Sequence, residues 1–298
     1  MLRTRKSRKI AMIYLFLVPS LTIFVTYRIA PILWNLILSF QKWKFSGPSG
    51  WVGLKNYSNM MGDPVFWESF KNTLLYLAGS PIAIILAIGI ALLVNQDIRG
   101  RNIYRSIVFL PYPLTTVAVA IIWRWLYNEK VGLINYLFCS LGIVDKRVPF
   151  LQSFTWALPA VIITSIWQVI GFYMIIILTG LQSIPKELHE AAQLDGASST
   201  MQFIHITFPL LKPSIFLCFL VGIISSFTVF DLVYIMTNGG PGYSTEMLVT
   251  YVYKNAFAFF RFDYAAAIAV FLFLFLLLVT WVLNKLSGGE AGAVRYYE

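Results

Sequence analysis

The sequence predicts an all-α membrane protein that crosses the bilayer about six times, judged by the length of its apolar runs. Of its 298 residues, 58% are hydrophobic and only 12% are charged, and the mean hydropathy is +0.73. A soluble domain of this length cannot bury that much apolar surface, so lipid has to cover much of it. In hydrocarbon every backbone N–H and C=O must find a partner within the protein, which leaves helices or a closed barrel. The short alternating strands of a barrel are not in the pattern.

A helix needs roughly 20 apolar residues to span the bilayer. Charge-free intervals close to or above that length run over 10–27, 72–96, 106–123, 148–185 and 264–284, and an 18-residue interval from Pro213 to Phe230 makes a sixth. The interval 148–185 is too long for one helix, and its span is placed from about Thr155 on. The first run follows Arg3, Arg5, Lys6, Arg8 and Lys9 but is too long for a signal peptide, and no A-x-A site follows it. It therefore reads as an uncleaved helix that continues past Arg28, whose side chain snorkels to the outer interface. The basic tail sets the amino terminus in the cytoplasm, together with 97–104, 186–212 and the residues after Lys285, while Trp123, Trp125 and Tyr127 mark an outer interface.

Several function classes fall away. The formal charge of +10 suggests nucleic acid, but five of the 23 Lys and Arg lie in the tail that leads into the first apolar run, as a membrane anchor requires. Cys139 and Cys218 share no close spacing with each other or with His189 and His205, so neither a metal cluster nor a disulfide framework is indicated. In the outer loop 128–154, the apolar stretch Val131 to Val144 is too short to span and reads as interfacial. No G-x-x-x-x-G-K-[ST] occurs, so the chain has no ATPase site of its own, and energy must come from a partner or an ion gradient.

The informative polar residues lie in the loop 183–209, which reads as two short helices. Ser183 can cap, Pro185 suits a first turn, Glu187 and Glu190 fall where the helix dipole favours anions, and Gly196 suits a stop. Leu188, Ala191, Ala192 and Leu194 gather on one side; the alanines permit close approach of another surface, and Glu190 offers a carboxylate to a partner's arginine. A helix lying on lipid is the plainer reading, but anionic residues are repelled by an anionic leaflet, which favours a protein partner. His189-Glu190-Ala191-Ala192-Gln193 lacks the second histidine of H-E-x-x-H, which weighs against an intramembrane metalloprotease.

These residues resemble the signature loop of binding-protein-dependent ABC importer permeases: Glu190-Ala191-Ala192, three residues, Gly196, nine residues, Ile206, one residue, then Phe208 and Pro209. Phe208 stands where the signature usually has leucine. A second block, S-F-T-V-F-D-L-V-Y-I-M-T-N-G-G-P-G-Y-S-T-E over 226–246, resembles the carbohydrate, maltose-type branch, as does Y-K-N-A-F-A-F-F-R-F-D-Y-A-A-A-I-A further along. The resemblance implies a type I importer permease fold with six spans and a cytoplasmic coupling helix between spans four and five. It divides the chain into a basic tail 1–9, a first span and outer loop 10–68, a permease core 69–285 and a cytoplasmic tail 286–298.

It further implies a complex of this chain with a similar permease, two copies of an ABC ATPase that holds the ATP and Mg, and an external solute-binding protein. Coupling to the ATPase would fall on Leu188, Glu190, Ala191, Ala192, Asp195, Gly196, Ile206 and Pro209. The solute would be a mono- or oligosaccharide or glycerol phosphate. Gly222, Ser225, Ser226 and Val229 share one face at helical spacing and match the family's sugar contacts; Gly171 and Tyr173 are added from span four, the ring as a stacking surface for a sugar. Asp231, an intramembrane carboxylate, reads either as a functional group or as one pairing with a basic neighbour at the mouth; Gln168 carries the same ambiguity with helix-to-helix hydrogen bonding. An ion-coupled secondary transporter would need ionisable groups in several spans, and few are present beyond Asp231.

Overall fold

The computed structural model of the chain describes residues 2–44 and 47–286, so the expected carboxy-terminal tail lies, from 287 on, outside the described residues. Five helices are long and apolar enough to cross a membrane, Met12–Ser39, Pro64–Asn95, Ala157–Gln182, Ser199–Phe227 and Phe262–Lys285, and a shorter apolar helix covers Thr116–Leu126. The chain divides into two compact units: the residues up to Asp63 with Val252–Phe273, and Pro64–Tyr251 with the residues from Leu274 on.

In the first unit, α1 (residues 2–39) is helical throughout, with a π-turn at Val25–Ile29 where the Ala30 N–H reaches back to the Val25 carbonyl. Pro31 stands two residues after its end, and the proline ring would press on the carbonyl four residues back; the wider turn relieves that contact. Strands β1 (Gln41–Lys44) and β2 (Gly47–Trp51) then pair as an antiparallel ribbon with a bulge between Lys42 and Trp43. This ribbon departs from the purely helical expectation. Side chains close open backbone groups of the ribbon and of the helix end before it: Asn56, on α2 (Lys55–Met61), donates to the carbonyls of Ser39 (2.9 Å) and Gln41 (3.0 Å), and Asp263 accepts from the Trp43 N–H (3.2 Å).

The second unit is built around α3 (Pro64–Asn95) and α7 (Ala157–Gln182), with α4 (Arg101–Phe109), α5 (Thr116–Leu126) and α6 (Leu133–Ser140) between them in the chain. Ala83, Ala87 and Ala91 form a fully buried stripe at four-residue spacing that lets α3 lie close against Tyr173, Met174, Ile177 and Leu181 of α7. Cys218 is buried in the same core. At Gly180 an added Cβ would lie 2.3 Å from Ser214 Oγ, so α9 (Ser199–Phe227) also approaches α7 closely. Asn135 on α6 binds Val148, in the loop before α7, through both backbone groups, donating to its carbonyl (2.9 Å) and accepting from its N–H (2.8 Å).

The interval 106–123 does not make one span. α4 ends at Phe109, α5 starts at Thr116, and Pro111 and Pro113 lie between them. Each proline lacks a donor and restricts the residue before it, so the helix cannot run through. α7 holds the break. Gly171 brings the chains so close that a Cβ there would lie 2.2 Å from the Val108 carbonyl oxygen. Phe172 stacks on Tyr112 with centroids 4.4 Å apart and planes 8° from parallel, and Gln168 Nε2 donates to the Leu114 carbonyl at 3.3 Å.

The span expected from Pro213 to Phe230 also shifts. Its helix, α9, starts at Ser199, passes a π-turn at Phe203–Thr207, takes Pro209 and Pro213 within it, and stops at Phe227. Lys212 interrupts the charge-free count without interrupting the backbone bonds. At the far end the Thr228 hydroxyl turns back to the Ile224 carbonyl (2.7 Å), and the chain resumes as α10 (Asp231–Met236), α11 (Leu248–Tyr253) and α12 (Phe262–Leu286). Between α10 and α11, the Asn238–Gly242 segment is a turn closed by Thr237 and Thr245, whose hydroxyls are 2.7 Å apart, with no flanking strands among the described residues.

Two glycine replacements separate packing from helix propensity. Gly171→Ala puts a Cβ into the Val108 backbone and is expected to cost about 1–3 kcal/mol, as overpacking does. Gly89→Ala, in the interior of α3 with nothing within 4 Å of the new Cβ, is expected to be neutral or to gain about 0.5–1 kcal/mol. Thermal unfolding of the detergent-purified variants reads both.

Candidate functional site

The loop after α7 forms α8 (Lys186–Leu194). The capping role expected of Ser183 is not made: Pro185 is the N-cap and offers no side-chain bond, while Ser183 Oγ donates to the Gly180 carbonyl at 2.7 Å and closes α7 instead. The end of α8 is a Schellman turn. The Ala197 N–H reaches the Ala192 carbonyl (2.9 Å), the Gly196 N–H reaches that of Gln193 (3.0 Å), and Gly196 has φ +79°. A Cβ on Gly196 would meet nothing within 4 Å, so the need for glycine is conformational and not steric.

Glu190, Ala191 and Asp195 are exposed, and Leu188 and Ala192 are half-buried. Leu194 is 90% exposed, the most of any large hydrophobic residue described. The opposite side of α8 is tied down: His189 Nδ1 shares a hydrogen bond with Gln202 Oε1 (3.3 Å), and Gln202 Nε2 donates to the Ala197 carbonyl (3.0 Å). Gln202 was not among the residues singled out from the sequence; a lone amide on the first turn of the following helix is the signal that points to it. Ile206 lines a hollow of about 290 Å³ with Ala192, Asp195, Met201 and His205, and Pro209 stands just past the π-turn. The second helix expected in this loop is thus the beginning of α9. Among the described residues no group of His, Cys, Asp and Glu could hold a metal ion, and His189 is turned toward Gln202.

A second feature is a cavity of about 420 Å³ bounded by α3, the 110–115 break, α7, the end of α9 and the start of α10. Gly222, Ser225, Ser226, Val229, Tyr173 and Asp231 all line it. Gly171 does not; it faces the Val108 backbone as described above. A Cβ on Gly222 would lie 2.8 Å from Ser80 Oγ and 3.0 Å from the Tyr173 hydroxyl, so its bareness lets those two groups reach the wall. Val229 lies past the end of α9 rather than on its face, because the helix has already stopped at Phe227. The ambiguity of Gln168 resolves into both roles, since it lines the cavity and bonds the Leu114 carbonyl.

Asp231 opens α10 with its side chain exposed, and no ion pair involves it among the described residues. Arg124 of α5 donates to the Ile235 carbonyl at 3.3 Å, at the other end of that short helix. Tyr76, Ser80, Thr116, Ser165 and Thr228 also line the cavity and were not legible beforehand. Tyr76 and Ser80 are four residues apart in an otherwise apolar run, a spacing that puts two hydroxyls on one face of α3.

Residues 79–288 match the family described as the binding-protein-dependent transport system inner membrane component, and the chain belongs to that family. It is 35% identical over 241 residues to the sulfoquinovosyl glycerol transport system permease protein of Agrobacterium fabrum, covering 80% of this chain and 77% of that one. It is 33% identical over 245 residues to the trehalose/maltose transport system permease protein of Thermococcus litoralis, covering 82% of each. Its fold matches a chain in the crystal structure of a bacterial alginate ABC transporter in complex with an alginate pentasaccharide-bound periplasmic protein, with TM-score 0.82, 23% identity and coverage of 97% and 98%. The chain is thus an ABC importer permease with the type I fold, a multi-pass inner membrane protein, as its signature loop implied.

Replacing Gly196 by Val forces a branched residue to φ +79°, at a cost of about 1–2 kcal/mol. The Schellman bonds should open, and hydrogen exchange at the Ala197 amide should speed up by about tenfold or more. Gly196→Asn, which tolerates the left-handed region, should keep most of the protection.

Proposed function

We propose that this chain forms, with a second permease subunit, the transmembrane passage of an ATP-driven importer of a sugar or sugar-like solute. The observation that carries the solute class is the cavity, whose lining combines Ser, Thr and Tyr hydroxyls, the Gln168 amide and the rings of Tyr112 and Tyr173. Hydroxyls both donate and accept, and aromatic faces suit the apolar face of a sugar ring. The name of one relative, for a trehalose/maltose system, supports the same class.

In this reading ATP and Mg are bound by two copies of a partner ATPase, and none is bound by this chain. A solute-binding protein delivers the solute from outside; the alginate transporter with its periplasmic protein supports that partnership. The amino and carboxy termini are cytoplasmic, and the exposed face of α8, with Glu190, Ala191 and Leu194, docks into the ATPase. Closure of the ATPase dimer then moves α8, which Gln202 and the Schellman turn tie to the start of α9. The far end of α9 carries Gly222, Ser225 and Ser226 to the cavity wall, so a rigid-body motion at the loop reaches the solute.

Pull-down of the tagged chain from detergent, with ATPase activity assayed in each eluate, tests the coupling surface. Glu190→Lys and Gly196→Val are expected to lower co-purifying ATPase by about tenfold or more, equivalent to about 1.4 kcal/mol of docking energy, with the chain still inserted in the membrane. Equal recovery from wild type and both variants would move the interface away from α8.

A further inference from the structure

We propose that Asp231 makes the cavity a charge filter that rejects anionic saccharides, an inference that rests on the saccharide-importer reading above. The lining holds one carboxylate, that of Asp231, and no Lys, Arg or His. Asp231 is exposed at the head of α10 and enters no ion pair among the described residues. Arg124, on the helix that also brings Thr116 to the cavity, is engaged at the opposite end of α10 with the Ile235 carbonyl (3.3 Å). The other polar side chains of the wall, Ser80, Ser165, Gln168 and Tyr173 among them, are neutral.

The physical consequences differ by solute charge. A neutral saccharide presents hydroxyls that can donate to the Asp231 carboxylate and exchange bonds with the wall hydroxyls in either direction. An amino-bearing saccharide gains a counter-charge at the same carboxylate. A carboxylate, sulfonate or phosphate on the solute meets no cation, and it also meets Asp231 as a like charge. Water and salt screen that repulsion in part at an exposed carboxylate, and desolvation of the unpaired anion as the solute enters the cavity adds to it. Glycerol phosphate, a candidate on sequence grounds, is therefore disfavoured.

A matched set of probes isolates charge from shape: glucose, glucosamine and glucuronate share a pyranose ring and are neutral, positive and negative near neutral pH. Binding of each is measured by ligand-observed NMR to the detergent-purified importer complex carrying the full chain. Wild type is expected to bind glucose and glucosamine at least about tenfold more tightly than glucuronate. Asp231→Asn should bring glucuronate to within about threefold of glucose, whereas Asp231→Glu, which keeps the charge, should keep the order. Glucuronate binding as tightly as glucose in wild type, or a gap unchanged by Asp231→Asn, overturns the charge filter alone. Failure of the saccharide reading looks different: none of the three binds wild type, or Ser225→Trp, which crowds the cavity, leaves glucose binding unchanged, and the filter falls with it.

Discussion

Hydrocarbon offers a peptide group no water to bond, and residues 110–115 are where this chain meets that constraint in an apolar stretch without a continuous helix. Two prolines, Pro111 and Pro113, make the helix impossible there; the Tyr112 and Leu114 N–H groups close short turns onto the Phe109 (3.0 Å) and Pro111 (3.3 Å) carbonyls, and the Leu114 carbonyl is left to a neighbour. α7 is that neighbour. Its Gln168 bonds the Leu114 carbonyl, its Phe172 stacks on Tyr112, and its Gly171 admits the Val108 backbone at a distance no side chain would allow. The cavity follows from the same arrangement. Tyr112 and Leu114 of the break form one wall, and Gln168 and Tyr173 of α7 form another, so the opening in the second unit is held by the contacts that make a broken helix tolerable.

The signature residues of the loop divide into those that set backbone geometry and those that present a surface. Gly196 belongs to the first group, since its positive φ lets the chain leave α8 through two short carbonyl bonds. Pro209 belongs there too. It sits two residues after the end of the π-turn of Phe203–Thr207, as Pro31 sits two residues after that of Val25–Ile29, and in both places the widened turn accommodates a ring that would otherwise press on a carbonyl. Glu190, Ala191 and Leu194 belong to the second group and touch little within the chain.

The sequence made most of the helices legible because charge is so costly in lipid that its absence marks a span. It made the boundaries less legible for the same reason. Counting charges is blind to proline, which is why 106–123 looked continuous, and it is too sensitive to Lys212, which sits on a helix that starts at Ser199. Most of the expected pathway residues meet in the cavity because they lie on or just past one helix end. The spacing of Tyr76 and Ser80 sets two hydroxyls on one face of α3, but their meeting with Thr116 and Ser165 depends on how α3, α5 and α7 pack, which no local spacing encodes. Gly171 illustrates the converse: a bare position beside a cavity-lining tyrosine is placed by packing against Val108.

The continuity of α9 has a mechanical corollary. Its 29 residues run unbroken from Ser199 to Phe227, which at 1.5 Å per residue makes a shaft about 44 Å long. Tilting such a shaft by about 5° about one end sweeps the other through about 4 Å, more than the length of a hydrogen bond. A displacement of that size at Ser225 and Ser226 would exchange one set of hydrogen-bond partners for another without unwinding any turn. The grip on a solute could then be altered by leverage alone, with the bonds of the helix left intact.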